Sequence, residues 1–231
     1  MKTSKVNRRS LSLGAALLLL FVVFTILVAK VDVAPIGVDG TDVGFSGINK
    51  KINDFLGENK GIYQVSEALG YLTWGVVAFF GLFGLSQLVN RRSLLKVDRD
   101  IILLGCGYAV MLAFYVLFEK VIINYRPATA GGELEASYPS SHTLMLVFVM
   151  ATAIMQAFRR VKHDSLRMTL CMLAFFIAVA VTARRLVGGV HWFTDIIGGL
   201  LLAAALAALY AGFAFPSAAT PPEAPPKATD A

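Results

Sequence analysis

Charge is what this sequence has least of. Asp, Glu, Lys and Arg together make up 16% of the 231 residues, against 57% hydrophobic, where an ordinary soluble domain carries about 25% charged residues. No polar stretch between the apolar runs is long enough to be a soluble domain. Cysteine is nearly absent: Cys106 and Cys171 both fall inside apolar runs, where a thiol acts as a small hydrophobe and says nothing of redox compartment. There is no Gly-rich phosphate loop of the Walker type and no internal repeat, so any phosphate chemistry must be built from other parts. The net charge of +6 does not point to nucleic acid, because the basic residues sit in short connections between apolar runs, where membrane topology explains them.

What is present is six long apolar runs. A helix crosses the roughly 30 Å hydrocarbon layer with about 20 residues, and such runs cover about Leu11 to Ala29, Val65 to Val89, Ile101 to Ile123, Thr143 to Phe158, Leu166 to Ala183 and Phe193 to Phe215. The expected fold is therefore all-α, a polytopic bundle of six transmembrane helices filling residues 1–215 with no soluble domain. Lys2, Lys5, Arg8 and Arg9 ahead of the first run also suit a signal peptide, but the run exceeds a typical apolar core of about 7 to 15 residues and Leu27-Val28-Ala29 is a poor cleavage site. A retained anchor is the better reading.

With six spans both ends share one side. That side carries thirteen of the 21 basic residues and the other eight, which by the positive-inside rule puts both termini in the cytoplasm. The closing segment, residues 216–231, is rich in Pro and Ala and reads as a disordered cytoplasmic tail. In the longest outer connection Ile48, Ile52, Phe55 and Leu56 recur at helical spacing, which predicts a short amphipathic helix on the membrane surface. Short loops suggest a bacterial plasma membrane.

Two of the three histidines stand at outer ends of spans inside polar clusters. One cluster runs from Arg126-Pro127 to Pro139-Ser140-Ser141-His142; the other is Arg184-Arg185-Leu186-Val187-Gly188-Gly189-Val190-His191-Trp192-Phe193-Thr194-Asp195. The topology places both on one membrane face. Arginine forks match phosphate oxygens, and the unpaired amides and positive dipole of a helix opening at Ser140, Ser141 and His142 make an anion seat. His191 and Asp195 are four apart, so on a helix the carboxylate can hold the imidazole in one tautomer and make it nucleophilic. His142 can then protonate a leaving oxygen while arginines stabilise the transferring phosphoryl group, with no metal or other cofactor required.

These residues resemble the type 2 phosphatidic acid phosphatase (lipid phosphate phosphatase) superfamily. Its pattern is a lysine, six residues and Arg-Pro, then Pro-Ser-Gly-His, then Ser-Arg, five residues, His, three residues and Asp. Arg126-Pro127, Pro139-Ser140-Ser141-His142, and Arg185 with His191 and Asp195 match in order and spacing. The resemblance implies that His191 attacks phosphorus, Asp195 orients it, His142 protonates the leaving group, and Arg126 and Arg185 hold the phosphate, in an active site at the outer membrane face. The sequence departs from the pattern at three places: Glu119 stands where the lysine belongs, with Lys120 one residue late; Ser141 replaces the glycine; Arg184 replaces the serine. Lys120 and Arg184 are both candidates for phosphate binding, and Arg184 is expected to supply the charge that a rotated Lys120 cannot.

The expected function is a lipid phosphatase acting on a phosphate monoester or diphosphate, with polyprenyl diphosphate, phosphatidylglycerol phosphate and phosphatidate all open as substrates, and with the bilayer and a phosphorylated lipid as its partners. A phosphotransferase of the same fold and a non-catalytic lipid-binding protein are the alternatives. His191 and Asp195 as metal ligands lack a third and fourth partner at suitable spacing. His163 reads as a solvated loop residue, Gly198 and Gly199 as close-packing points, and Trp74 and Trp192 as packing or interface anchors.

Overall fold

The computed structural model describes residues 6–57, 60–128 and 134–215, with the backbone alone for 60–70. The proposed tail, 216–231, lies outside the described residues. Among the described residues seven α-helices follow one another: α1 (Arg8–Lys30), α2 (Ser46–Leu56), α3 (Lys60–Arg91), α4 (Arg99–Lys120), α5 (Ser141–Arg160), α6 (Asp164–Val187) and α7 (Phe193–Ala214). All except α2 include a stretch long and apolar enough to cross a membrane. The protein is an all-helical, multi-pass membrane protein.

Helix ends follow local chemistry. The Asn7 side chain accepts the Ser10 amide to start α1, and Ser140 accepts the Thr143 amide to start α5, each satisfying an amide that the helix itself leaves unpaired. One boundary differs from the sequence reading in a way that matters. The fifth span does not stop at Ala183; α6 runs on through Arg184 and Arg185 to Val187, because arginine is a good helix former and a cation is favoured in the last turn. Gly188 and then Gly189, at φ +66°, reverse the chain, and that left-handed conformation suits a residue without a Cβ. His191 is thereby turned back onto the bundle.

α7 is the central helix: 61% of its apolar stretch is buried, against 17% in α1 and α6. Its run of Gly, Ala and Leu lets neighbours approach closely. α1 lies along it, with Gly14 against Leu209 and Gly212 against Leu11, so the first apolar run is packed into the bundle as a span. Phe79, Leu82, Leu170, Phe175 and Phe176 point outward, an apolar belt that suits lipid, where all backbone polar groups are paired within the helices.

At the end of the bundle where α4 and α6 begin, a polar knot ties helices together. Buried Asp100 accepts from Arg160 at 2.6 Å and Gln156 at 3.0 Å and is ion-paired with Arg159 at 3.2 Å; Gln156 also reaches Tyr210 on α7. Asp98 accepts from Arg91 and Gln87 of α3 and from Arg160 of α5. The Arg91 hydrogen bond above all, helped by Gln87 and Arg160 against the opposing effect of burial, lowers the Asp98 carboxyl to about 2. Removing Arg160 would leave the fully buried Asp100 short of its closest cation, and an uncompensated buried charge costs about 3–5 kcal/mol.

Candidate active site

The opposite end of the bundle gathers the residues picked out in sequence. Asp195, on the first turn of α7, is fully buried; its Oδ2 accepts the Trp192 amide at 2.9 Å and the Ser137 hydroxyl at 2.5 Å, and its Oδ1 accepts from Asn124 at 3.4 Å. His191 is 2% exposed. Its Nδ1 lies 3.1 Å from Ser137 Oγ and 3.8 Å from Asp195 Oδ2, so the carboxylate stands beside the imidazole with a serine hydroxyl between them. Its Nε2 is buried and has no hydrogen-bond partner among the described residues. Burial is the main cause holding this imidazole below its ordinary range; Asp195 opposes the shift, and Arg126 and Arg185 reinforce it.

His142, on the first turn of α5, is the second imidazole. It lies within electrostatic reach of Arg185, His191 and Arg126, and its Nδ1 is a second buried ring nitrogen without a partner among the described residues. It lines a cleft of about 160 Å³ between α3, α5 and α6, with Trp74, Met145 and Val181 among the walls. Arg185 is only 1% exposed, a charge buried at the end of α6 among these groups. Arg126 is held by Glu135 at 2.8 Å, and its Nε is buried and unpartnered among the described residues. Two guanidinium groups and two imidazoles are thus gathered within electrostatic reach of one another, an arrangement suited to a tetrahedral anion.

The other candidates are placed differently. Ser140 is fully buried, and its hydroxyl accepts from both the amide and the hydroxyl of Thr143; it caps α5. Ser141 opens α5 and lines a narrow cleft beside Ser137 and Tyr138. Lys120 is exposed at the end of α4 and does not line that cleft, whereas Glu119 does. Since the helix holds to Lys120, the one-residue offset is a rotation of about 100°, and it is Glu119 that lines the narrow cleft. Arg184 is half-buried in the last turn of α6, one residue and the same rotation away from Arg185.

Sequence reasoning missed Ser137, Asn124, Asn49 and Glu135. Ser137 stands two residues before Pro139 in the polar cluster, which is the signal that could have marked it. A short backbone pairing sets it: Arg126 N donates to Glu135 O and Ser137 N to Asn124 O. Gly198 and Gly199 are packing points, as expected, but against the site loop: a Cβ on Gly198 would come within 2.6 Å of the Tyr138 ring, and one on Gly199 within 2.9 Å of the Ser140 carbonyl. Trp192 is buried and donates its ring N–H to Tyr125 O at 2.8 Å, so it is a packing residue; Trp74 is half-exposed at the cleft. His163 is exposed. Among the described residues no three His, Cys, Asp or Glu side chains converge as a metal-binding group.

Fold and site together define a multi-pass membrane protein with a buried histidine–carboxylate pair flanked by a second histidine and two arginines. The chain belongs to the PAP2 superfamily, whose family model matches residues 72–217. No curated protein matches it. It is similar to the crystal structure of the first transmembrane PAP2 type phosphatidylglycerolphosphate phosphatase from Bacillus subtilis, with a TM-score of 0.63 and 19% sequence identity over 87% of this chain and 94% of that chain; at that identity the likeness is one of fold.

Proposed function

We propose that this protein is a lipid phosphatase that hydrolyses a phosphate monoester or diphosphate on a lipid by way of a phosphohistidine at His191. The observation that carries the reading is the state of the His191 ring: one nitrogen engaged from behind by Ser137 and Asp195, the other buried and unpartnered among the described residues, in a ring that lies within electrostatic reach of Arg126 and Arg185. Nε2 attacks phosphorus as the bond to the leaving oxygen breaks, and His142 gives that oxygen its proton. Water then attacks the phosphohistidine, His142 takes a proton back, and phosphate leaves with His191 restored. Arg126 and Arg185 neutralise the equatorial oxygens throughout. Family membership supports a phosphatase.

The cleft at His142 opens between apolar helix faces, which favours a substrate whose head reaches the site while its tail stays in the bilayer. Phosphatidate, phosphatidylglycerol phosphate and polyprenyl diphosphate all meet that description. The distribution of basic residues supports a site on the outer face of the membrane with both termini in the cytoplasm.

The test is phosphate release from these three lipids by purified protein in detergent with EDTA present, wild type against His191→Ala. Release that survives the chelator and is lost in the variant bears out the reading. Release abolished by EDTA, or retained in His191→Ala, overturns it, and transfer of phosphate to a lipid alcohol in place of water would make the protein a phosphotransferase.

A further inference from the structure

Asp195 does not touch His191 by a hydrogen bond. At 3.8 Å, Oδ2 and Nδ1 are beyond the range in which an N–H···O bond is worth anything. The hydroxyl of Ser137, 2% exposed, fills the gap, 2.5 Å from Oδ2 and 3.1 Å from Nδ1. A serine hydroxyl has one proton and lone pairs to accept with, and an ionised carboxylate only accepts. The proton therefore goes to Asp195, which is held to receive it by the Trp192 amide and by Asn124. The lone pair that faces the ring can be satisfied only by a proton on Nδ1. That assigns the tautomer: Nδ1 carries hydrogen and Nε2 carries the lone pair.

We infer that Ser137 is the positioning residue for the nucleophile, a hydroxyl relay through which Asp195 orients His191 and holds its Nδ1–H tautomer. The inference rests on the phosphatase reading for its consequence in turnover, although the tautomer itself does not. When Nε2 bonds to phosphorus the ring becomes cationic with its proton still on Nδ1, and the Ser137 oxygen, polarised by the carboxylate behind it, accepts from that N–H more strongly. The benefit falls on the transition state and intermediate, so Ser137 governs kcat more than KM.

The first measurement needs no variant. Protein labelled with 15N-histidine, with the His191 signal assigned by its absence from His191→Gln, should show at neutral pH the neutral Nδ1–H form; an Nε2–H form in the wild type overturns the inference. In Ser137→Ala the ring should become a mixture of tautomers, kcat should fall roughly 10- to 100-fold, the size found when a partner that orients a metal-ligating histidine is removed, and KM should hold within about twofold. Ser137→Thr, which keeps the hydroxyl, should recover most of the loss. A Ser137→Ala protein with unchanged tautomer and kcat would mean that Asp195 closes on the ring directly and that the serine only fills space. Wild type with the Nδ1–H tautomer but no phosphatase activity would sink the phosphatase reading and leave the relay standing.

Discussion

Asn49 of α2 holds the first turn of α7 through Thr194 with a reciprocal pair of hydrogen bonds: its side-chain oxygen accepts the Thr194 amide at 3.2 Å and its side-chain nitrogen donates to the Thr194 hydroxyl at 2.9 Å. The same nitrogen donates to Gly44 O at 2.8 Å, and Gly44 N in turn donates to Asn124, which reaches Asp195. Residues before the start of the family match at 72 thus buttress the carboxylate. Asn49→Ala should leave three polar groups short of a partner, at about 1–3 kcal/mol each. The expected outcome is a lower unfolding temperature in detergent and a reduced kcat; unchanged values of both would remove α2 from the frame of the site.

The pH behaviour follows from the burial of His191. Its nucleophilic form is neutral, and its pKa is lowered from 6.5, so it stays neutral below pH 6.5 and the acid limb of kcat/KM due to this group lies on the acid side of that value. Arg185 is one of the cations depressing it, so in Arg185→Gln the limb should move to higher pH, with activity reduced at its plateau. The same shift sets a stability trend: as pH falls below 6.5 the unfolded chain takes up the proton first, so stability drops. A pH–rate profile checks the limb, with an acid limb above 6.5 in the wild type contradicting it, and thermal unfolding measured across pH checks the stability trend.

The helical phase at the end of α4 bears on the sequence expectation that Arg184 supplies the charge that a rotated Lys120 cannot. Lys120 is exposed and off the cleft, so Lys120→Ala should keep kcat/KM within about twofold, as surface substitutions away from a site do. Arg184→Ser should cost more, because Arg184 is proposed to supply the charge that Lys120 does not deliver. Full activity in Arg184→Ser together with loss in Lys120→Ala would reverse that assignment.

Backbone contact at α7 is tight enough to test with one methyl group. Gly198→Ala brings a Cβ to 2.6 Å from the Tyr138 ring. Tyr138 is packed between Phe21, Phe24 and Phe118 and bonded to Thr25, so it has little room to move. Overpacking of this sort costs about 1–3 kcal/mol, and because Ser137 sits next to Tyr138, turnover should fall with stability. Activity assays and thermal unfolding on the same preparation would show whether the two losses travel together.

The six spans and the two histidine clusters were legible because apolar runs of this length permit little else and because the spacing of Arg126, His142, Arg185, His191 and Asp195 is local and ordered. Ser137, Asn124 and Asn49 were not. They are ordinary polar residues whose work is defined by partners 54 to 145 positions away, and only the folded chain supplies those pairings. Ile48 and Phe55 marked α2 as amphipathic, and both are exposed; the polar side that docks on α7 gave no periodic signal of its own. Arg184 and Arg185 read as loop residues because they are charged, although the end of a helix is where a cation is favoured.

The knot around Asp100 constrains how the protein can open. It joins α4, α5 and α7 and, through Asp98, α3, all at the end remote from His191. Clamped there, α3, α4, α5 and α7 share one fixed end, as the arms of a clothes peg share one spring. On the proposed lipid-phosphatase reading, a substrate head entering the cleft between α3 and α5 would spread the bundle at the His142 end, the end that this knot leaves unclamped.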